Sequence, residues 1–225
     1  MLQRVFDIFF PDICAACELI LVKNEEVICT KCLHQLPVVP QQEAEEIVKE
    51  MFYGRVDVAH AGVLLYYHKK GLAQHLIHRL KYGGQEKISS YFGLWLGSFL
   101  KNQEWTKSID YIIPVPLHKN RKRKRGFNQV SGFGKKLAEL TDSAFREDIL
   151  IKVFNSRTQV FKDRFARTEL KGAYFTLKNE KIIENKHVLL VDDIITTGST
   201  METCAKVLNR AGPSKISFAS MAIAN

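Results

Sequence analysis

The sequence lacks any long apolar run. In 225 residues, no uninterrupted apolar stretch approaches the roughly 20 residues that a membrane-spanning helix needs. The first ten residues are apolar but carry an early acid, Asp7. They also lack the long hydrophobic region and the small-residue cleavage site of a signal peptide. These absences argue against a helical membrane protein and predict a cytoplasmic protein with no membrane partner.

An even spread of positive charge is missing as well. The formal net charge is +9, but residues 119–125 alone supply six positive charges. The rest of the chain is only mildly basic, which argues against a nucleic-acid-binding surface that covers the whole protein. For residues 121–124 two interpretations remain open, a solvated basic turn and a local nucleic-acid patch.

Cysteine is scarce, yet four of the five cysteines form two CxxC pairs separated by eleven residues. Two such pairs can place four thiolates in a tetrahedron around zinc. The predicted ligands are Cys14, Cys17, Cys29 and Cys32. A ribbon of this size buries little surface, so the metal would be structural. Two disulfides or a redox dithiol are the alternatives, although redox motifs normally occur once and beside a βαβ unit.

The most informative stretch begins at residue 188. Four consecutive apolar residues, 188–191, predict a strand buried on both faces, and residues 201–211 have helical composition up to Gly212. Asp192 and Asp193 follow the strand directly, and Cys204 in the helix is expected to be a small buried side chain.

Between the acid pair and this helix lies a loop of small polar residues, for which we predict a phosphate-binding role. A strand, a loop and a helix N-terminus in succession offer an anion backbone N–H groups and the positive end of a helix dipole. The two carboxylates suit the hydroxyls of a sugar whose phosphate lies in the loop. A turn in which Asp and Thr merely cap the helix is the alternative. The predicted loop comprises Ile195, Thr196, Thr197, Gly198, Ser199 and Thr200.

The order of predicted elements indicates an α/β fold. A strand-like segment at 56–67 precedes two amphipathic helices within 72–100, a strand at 111–117, a helix to about residue 140 and a strand at 149–153. An aromatic stripe on the second helix, which includes Phe92 and Phe99, is expected in the core. This alternation predicts a parallel sheet flanked by helices.

Several motifs together carry a family resemblance. The segment VDDIITTGST at 191–200 resembles the signature of type I phosphoribosyltransferases, which bind 5-phosphoribosyl-1-pyrophosphate (PRPP). With the four cysteines, LKYGG at 80–84 and RGFNQ at 125–129, the chain resembles the ComF family of bacterial proteins, which join a zinc ribbon to a phosphoribosyltransferase domain. The resemblance implies a zinc-ribbon module with its linker at 1–55 and a phosphoribosyltransferase-like domain at 56–225. It also implies structural Zn²⁺, and Mg²⁺ bound with PRPP.

The resemblance also assigns roles to residues. Asp192 and Asp193 are expected on the ribose hydroxyls, and the loop at 195–200 on the 5′-phosphate. Arg125 is expected to clamp pyrophosphate, and these three charged residues form the predicted catalytic set. The turn after the 111–117 strand would carry the pyrophosphate loop, and the cationic segment 155–171 would be a lid that closes over PRPP. Residues predicted in these two loops or near them are Val115, Pro116, Arg157, Arg164 and Lys81.

For Lys81 the alternative is a helix-terminal lysine that complements the helix dipole.

Two hypotheses about function remain open. In the first, the protein transfers phosphoribosyl to an unknown acceptor and releases pyrophosphate. In the second, it is a catalytically silent PRPP- or nucleotide-binding adaptor that docks a DNA-processing protein or single-stranded DNA. The association of the ComF family with natural competence and DNA uptake supports a partner of that kind.

Overall fold

A parallel sheet forms the centre of the computed structural model, which describes residues 11–117, 123, 125–154 and 173–224. Its strands are β1 (Ala61–Tyr67), β2 (Tyr111–Pro114), β3 (Ala144–Phe145), β6 (His187–Ile195) and β7 (Lys215–Ala224). They lie in the order β1-β7-β6-β2-β3, and every neighbouring pair is parallel. The predicted parallel α/β sheet is therefore confirmed. A separate antiparallel pair is formed by β4 (Leu150–Phe154) and β5 (Ala173–Leu177).

Six α-helices lie wholly within the described residues: α1 (Thr30–His34), α2 (Gln41–Phe52), α3 (Leu72–Tyr82), α4 (Lys87–Leu100), α5 (Ser131–Thr141) and α6 (Ser199–Asn209). Short 3-10 helices span Glu104–Ser108 and Glu180–Ile183. The two predicted amphipathic helices correspond to α3 and α4. On α4, Phe92 is fully buried but Phe99 is 37% exposed, so the prediction that the whole aromatic stripe lies in the core was wrong at Phe99. None of the described helices is both long and apolar enough to cross a membrane.

Strand β6 is buried on both faces, as its four apolar residues predict. Leu189 and Val191 belong to one hydrophobic cluster, and Val188 and Leu190 belong to the other. Helices α3, α4 and α5 and the four-cysteine segment pack on the first face, while α2 and α6 pack on the second. Because both faces are covered, polar side chains on β6 become accessible only at its carboxyl end, where Asp192 and Asp193 lie.

The linker at residues 37–40 runs along β1, the strand at one end of the sheet. Val39 donates its N–H to the carbonyl of Leu64 at 3.0 Å, and Tyr66 donates to the carbonyl of Pro37 at 2.7 Å. Proline is tolerated here because an edge strand leaves one side of its backbone unpaired. The linker leads into α2, whose Phe52 belongs to the core on the second face of the sheet. The division near residue 55 stays a prediction.

Candidate functional site

The acid pair lies inside β6, which continues to Ile195, so the prediction that the two acids follow the strand was wrong. The backbone N–H of Asp193 donates to Oδ1 of Asp192 at 2.8 Å, and Nζ of Lys81 lies 2.8 Å from Oδ1 of Asp193. The Lys81 and Asp193 side chains are 22% and 15% exposed, so their ion pair is shielded from much of the solvent. Lys81 lies in the last turn of α3, and it is 112 positions away from Asp193 in the sequence. The structure thus brings the LKYGG motif to the acid pair.

The environment of Asp192 favours its protonated form. Burial, and then the neighbouring charge of Asp193, raise the pKa of Asp192 to about 8, against the opposing effect of Lys81 and Lys152. The ligand-free acid pair therefore retains a proton near neutral pH. Cys204 is buried as expected, and burial raises its pKa well above the ordinary value.

The loop after β6 presents small polar side chains and a helix N-terminus together. Thr196, Thr197, Ser199 and Thr200 are exposed, and Oγ1 of Thr197 lies 3.1 Å from Oγ of Ser199. Gly198 provides no side-chain cap for α6, and the first N–H groups of an α-helix have no acceptor within the helix. With the positive end of the helix dipole, this arrangement suits an anion. A small cleft here is lined by Asp192, Ile194, Ile195, Thr196, Gly198, Ser199, Thr200 and Met201.

Gly198 is required by both conformation and space. Its φ of +74° lies in the left-handed region, and a Cβ at this position would lie 2.7 Å from Cζ of Phe52. Phe52 is fully buried and packs edge-to-face on Phe218 at 4.9 Å between ring centroids. The phosphate-binding loop predicted from the sequence thus lies directly on the core, against a residue of α2.

Arg55 is the residue at this loop that the sequence did not reveal. Its Nη1 donates to the carbonyl of Thr197 at 3.0 Å, and its Nε donates to Oε2 of Glu202 at 2.8 Å. The Arg55 guanidinium also lies 5.3 Å from the centroid of the Phe52 ring. No motif or periodicity marks Arg55, because its contact with Thr197 joins positions 142 residues apart.

A second cationic group, that of Arg125, contacts the residue after Lys81. Nη1 of Arg125 donates to Oε1 of Gln129 at 2.7 Å, and the Arg125 guanidinium lies 4.9 Å from the centroid of the Tyr82 ring. Because Tyr82 follows Lys81 directly, the LKYGG and RGFNQ motifs meet in space.

The turn that follows β2 is fixed by side-chain and backbone hydrogen bonds from neighbouring segments. Nδ2 of Asn128 donates to the carbonyl of Val115 at 3.2 Å, and the N–H of Val115 donates to Val191 at 2.8 Å. Pro116 has no N–H. Neither Val115 nor Pro116 therefore has a free backbone donor for pyrophosphate, and a role for them there stays a prediction. The predicted lid residues Arg157 and Arg164 lie outside the described residues.

The four predicted cysteine ligands do come together. Their sulfur atoms all lie within 4.8 Å of one another, and the sulfurs of Cys17 and Cys29 are 3.7 Å apart. Tetrahedral zinc with bonds of about 2.3 Å sets its sulfur ligands roughly 3.8 Å apart. The sulfur of Cys14 also accepts N–H groups from Cys29 at 3.2 Å and Ala16 at 3.4 Å, which suits a thiolate. The cluster fits a metal such as zinc, and all four thiols are free of disulfides.

Comparison with known proteins adds a domain match and several relatives. A family model described as "Phosphoribosyl transferase domain" matches residues 132–224, which include the acid pair and the loop after it. Competence protein F of Haemophilus influenzae is 32% identical over 147 residues, which cover 63% of this chain and 63% of that protein. DNA utilization protein YhgH of Escherichia coli K12 is 29% identical over 145 residues, with the same two coverages.

A third relative aligns over more of the chain. Competence protein ComFC of Streptococcus pneumoniae is 28% identical over 200 residues, covering 89% of this chain and 82% of that protein. The matches to the Haemophilus and Escherichia proteins span less than two thirds of those proteins. Among solved structures, a purine phosphoribosyltransferase from Pyrococcus horikoshii superposes with a TM-score of 0.40 at 16% identity, covering 60% of this chain and 73% of that one.

Proposed function

This chain belongs to the ComF family, and from that premise we propose that it binds PRPP and transfers its phosphoribosyl group to an acceptor. The observation that carries the proposal is the succession at the carboxyl end of β6. There an acid pair is followed by a loop whose Gly198 adopts a positive φ at the start of α6. A phosphorylated sugar offers the two chemical groups that this arrangement fits, a phosphate for the loop and hydroxyls for the carboxylates.

In the proposed complex each part of the site has one task. The loop at 195–200 holds the 5′-phosphate through N–H groups and hydroxyls, and Asp192 and Asp193 accept hydrogen bonds from the ribose hydroxyls. Binding of the sugar requires Lys81 to share Asp193 with the ribose or to leave it. Lys81, which contacts Asp193, and Arg125, which contacts Tyr82, are the cations that we propose for the departing pyrophosphate.

The proposed reaction is a displacement at C1 of the ribose. The bond from C1 to pyrophosphate breaks and the electron pair leaves with pyrophosphate. A bond from C1 to the acceptor forms, and the acceptor loses a proton. Positive charge develops on the sugar, and the carboxylates at its hydroxyls stabilise it. Mg²⁺ bound with PRPP would supply positive charge that stabilises the leaving group.

The metal proposed for the ribbon has a different task. Zn²⁺ held by Cys14, Cys17, Cys29 and Cys32 would be structural, because four protein ligands leave no open position for a substrate or water.

A silent adaptor is the second candidate, and one observation favours it. The ribbon exposes four apolar side chains, between 41% and 66% of each, at Ile13, Leu19, Ile20 and Val22. Apolar surface of this kind suits a protein partner. Because relatives carry the names competence protein and DNA utilization protein, we propose a DNA-processing protein or single-stranded DNA as partner. In this function PRPP would be a bound regulator and not a substrate.

Calorimetry with PRPP and Mg²⁺ tests the shared premise of both candidates. We expect the unmodified protein to bind, Asp193→Asn to bind at least about tenfold more weakly, and Asp148→Asn to bind unchanged. Asp148 is a suitable control because it forms a surface ion pair with Arg146. Absence of binding by the unmodified protein would contradict the proposal.

Pyrophosphate release then separates the enzyme from the adaptor. The zinc-loaded protein is incubated with PRPP, Mg²⁺ and a panel of bases and amines. Release that depends on one acceptor and is lost in Asp193→Asn identifies a transferase. Tight PRPP binding without release for any acceptor supports the adaptor.

A further inference from the structure

We infer that Arg55 is a positioning residue for the phosphate-binding loop, because it holds the peptide between Thr197 and Gly198 in one orientation. For ligand binding this inference rests on the proposed function. The orientation itself is a property of the ligand-free protein and can be tested separately.

The geometry of one peptide bond carries the argument. Arg55 binds the carbonyl of Thr197 from outside the cleft, since the cleft is lined by Gly198 but not by Arg55. No peptide bond among the described residues is cis. In a planar trans peptide the C=O and the N–H point in opposite directions. Fixing the Thr197 carbonyl on Arg55 therefore turns the Gly198 N–H away from Arg55.

Arg55 is itself held in place, which makes it a rigid support. Its guanidinium pairs with Glu202 through both Nε and Nη2, and Nη1 also donates to the carbonyl of Met51 at 3.2 Å. The face of the group lies over the ring of Phe52. A planar fork of N–H groups can satisfy the carboxylate and the carbonyls at once, and a lysine ammonium cannot reproduce this geometry.

The loop is tied to Arg55 at a second point. Glu202, the carboxylate partner of Arg55, lies in the first turn of α6 and donates its own N–H to the carbonyl of Gly198 at 2.9 Å. One guanidinium thus contacts the loop directly at Thr197 and indirectly, through Glu202, at Gly198. Arg55 precedes the matched domain at residues 132–224, whereas Thr197 and Glu202 lie within it, so a segment outside the matched domain supports the loop.

Arg55 also acts electrostatically, and this effect must be separated from positioning. The Glu202 carboxylate lies near the helix end that would receive a phosphate, and it is neutralised by Arg55 and by Lys206 at 2.6 Å. Loss of Arg55 leaves more negative charge there, which disfavours an anion. Removing both charges in Arg55→Gln/Glu202→Gln eliminates this effect but does not restore the contact with Thr197.

The first experiment needs no ligand. Residue-resolved amide hydrogen exchange is measured on the full chain and on Arg55→Gln. We expect the Glu202 amide, which is bonded to Gly198, to exchange about tenfold faster in the variant. Arg146→Gln is the matched control. Arg146 also pairs with a carboxylate and lies 6.0 Å from an aromatic centroid, that of Tyr111, but it makes no contact with the loop. Unchanged exchange at Glu202 in Arg55→Gln would overturn the inference.

The second experiment uses ribose 5-phosphate, which carries the phosphate and hydroxyls but no pyrophosphate. We expect Arg55→Gln to bind it about tenfold more weakly, Arg55→Lys to be intermediate, and Arg55→Gln/Glu202→Gln to stay as weak as Arg55→Gln. Full recovery in the double variant would show that Arg55 acts only on the Glu202 charge, and would overturn positioning.

If the unmodified protein binds neither ribose 5-phosphate nor PRPP, the proposed function fails, and the exchange experiment still decides the role of Arg55.

Discussion

The four-cysteine ribbon and the loop predicted to bind phosphate are both short segments of functional side chains, but we expect different forces to hold them. In the ribbon, four sulfur atoms lie within 4.8 Å of one another, while Leu19, Ile20 and Val22 nearby are 64–66% exposed. Under the loop, Phe52 and Met201 are at most 1% exposed. Cys14, Ile28 and Cys32 of the ribbon do reach the core, but we expect the geometry of the ribbon to depend mainly on a bound metal and that of the loop on core packing.

This difference predicts which kind of substitution disrupts each site. A ribbon built on ligands loses its structure when one ligand or the metal is removed. A loop that packs on core side chains loses its conformation when the volume of a side chain in that core changes, even if every polar group of the loop is kept. The predictions below test this contrast, from the largest expected effect to the smallest.

The largest effect is expected from removing the metal. Chelation, or Cys32→Ser, should abolish amide protection across residues 14–36, because free thiols cannot replace the bonds to zinc. Strand β6 should stay protected, since its core contains many residues outside the ribbon. Hydrogen exchange with a zinc assay measures both effects.

Cys204→Ser provides the control for the ribbon. Cys204 is fully buried like Cys14 but lies in α6, far in sequence from the other four cysteines. We expect this variant to lose stability through a buried hydroxyl and still to bind one zinc per chain. A ribbon that keeps its protection without metal would contradict the first half of the comparison.

The loop should respond most strongly to Gly198→Ala. A non-glycine residue at φ +74° is strained, and the new Cβ would meet the Phe52 ring at 2.7 Å. Together these effects should destabilise the protein by about 2–4 kcal/mol. Denaturant unfolding measures the loss.

Gly212→Ala is a matched control for that strain. Gly212 lies beyond the other end of α6 with φ +66°, but nothing lies within 4 Å of its added Cβ. We expect it to cost about 1 kcal/mol from backbone conformation alone. Equal losses at the two glycines would show that packing on Phe52 contributes nothing, and the second half of the comparison would fail.

The two sites also differ in how far sequence could predict them. The cysteine ligands follow from local spacing, and the loop follows from a predicted strand and a predicted helix that are separated by nine residues, 192–200. Arg55 could not be found in this way, because its role depends on a contact with Thr197, which is 142 positions away in sequence and near only in the folded chain. Phe99 was misplaced for a related reason. Helical periodicity identifies a face, but the neighbouring elements decide how much of that face is covered.

The next largest effect is expected on the pH dependence of stability, which the ionisation of Asp192 controls. This effect concerns the loop and not the ribbon. Its folded pKa is raised from 3.8 to about 8, so its contribution to stability is complete below about pH 4 and is lost as pH rises through 8. Asp192→Asn should therefore stabilise the ligand-free protein by about 2 kcal/mol at pH 9 and by little at pH 4. Thermal unfolding across this range measures the difference.

Other groups near Asp192 must be considered in that experiment. Asp193, Lys81, Lys152 and Cys204 all affect it or are affected by it. The zinc content should be determined at each pH, so that the ribbon is constant. A stability difference between Asp192→Asn and the unmodified protein that does not change with pH would contradict the raised pKa.

The smallest effect is expected from Lys81→Met, which removes a cation from the loop side without disturbing the core beneath it. The variant leaves Asp193 without its partner at 2.8 Å, so we expect a loss of about 1 kcal/mol in stability. Lys87→Met is the control, because the pair of Lys87 with Asp12 is 3.5 Å long and its side chains are 74% and 79% exposed.

PRPP affinity should fall in Lys81→Met and not in Lys87→Met, while both variants keep their zinc. An equal affinity in the two variants would mean that the contact of Lys81 with the acid pair does not extend to the ligand. The pyrophosphate side of the site would then rest on Arg125, whose contacts with Gln129 and Tyr82 survive either substitution.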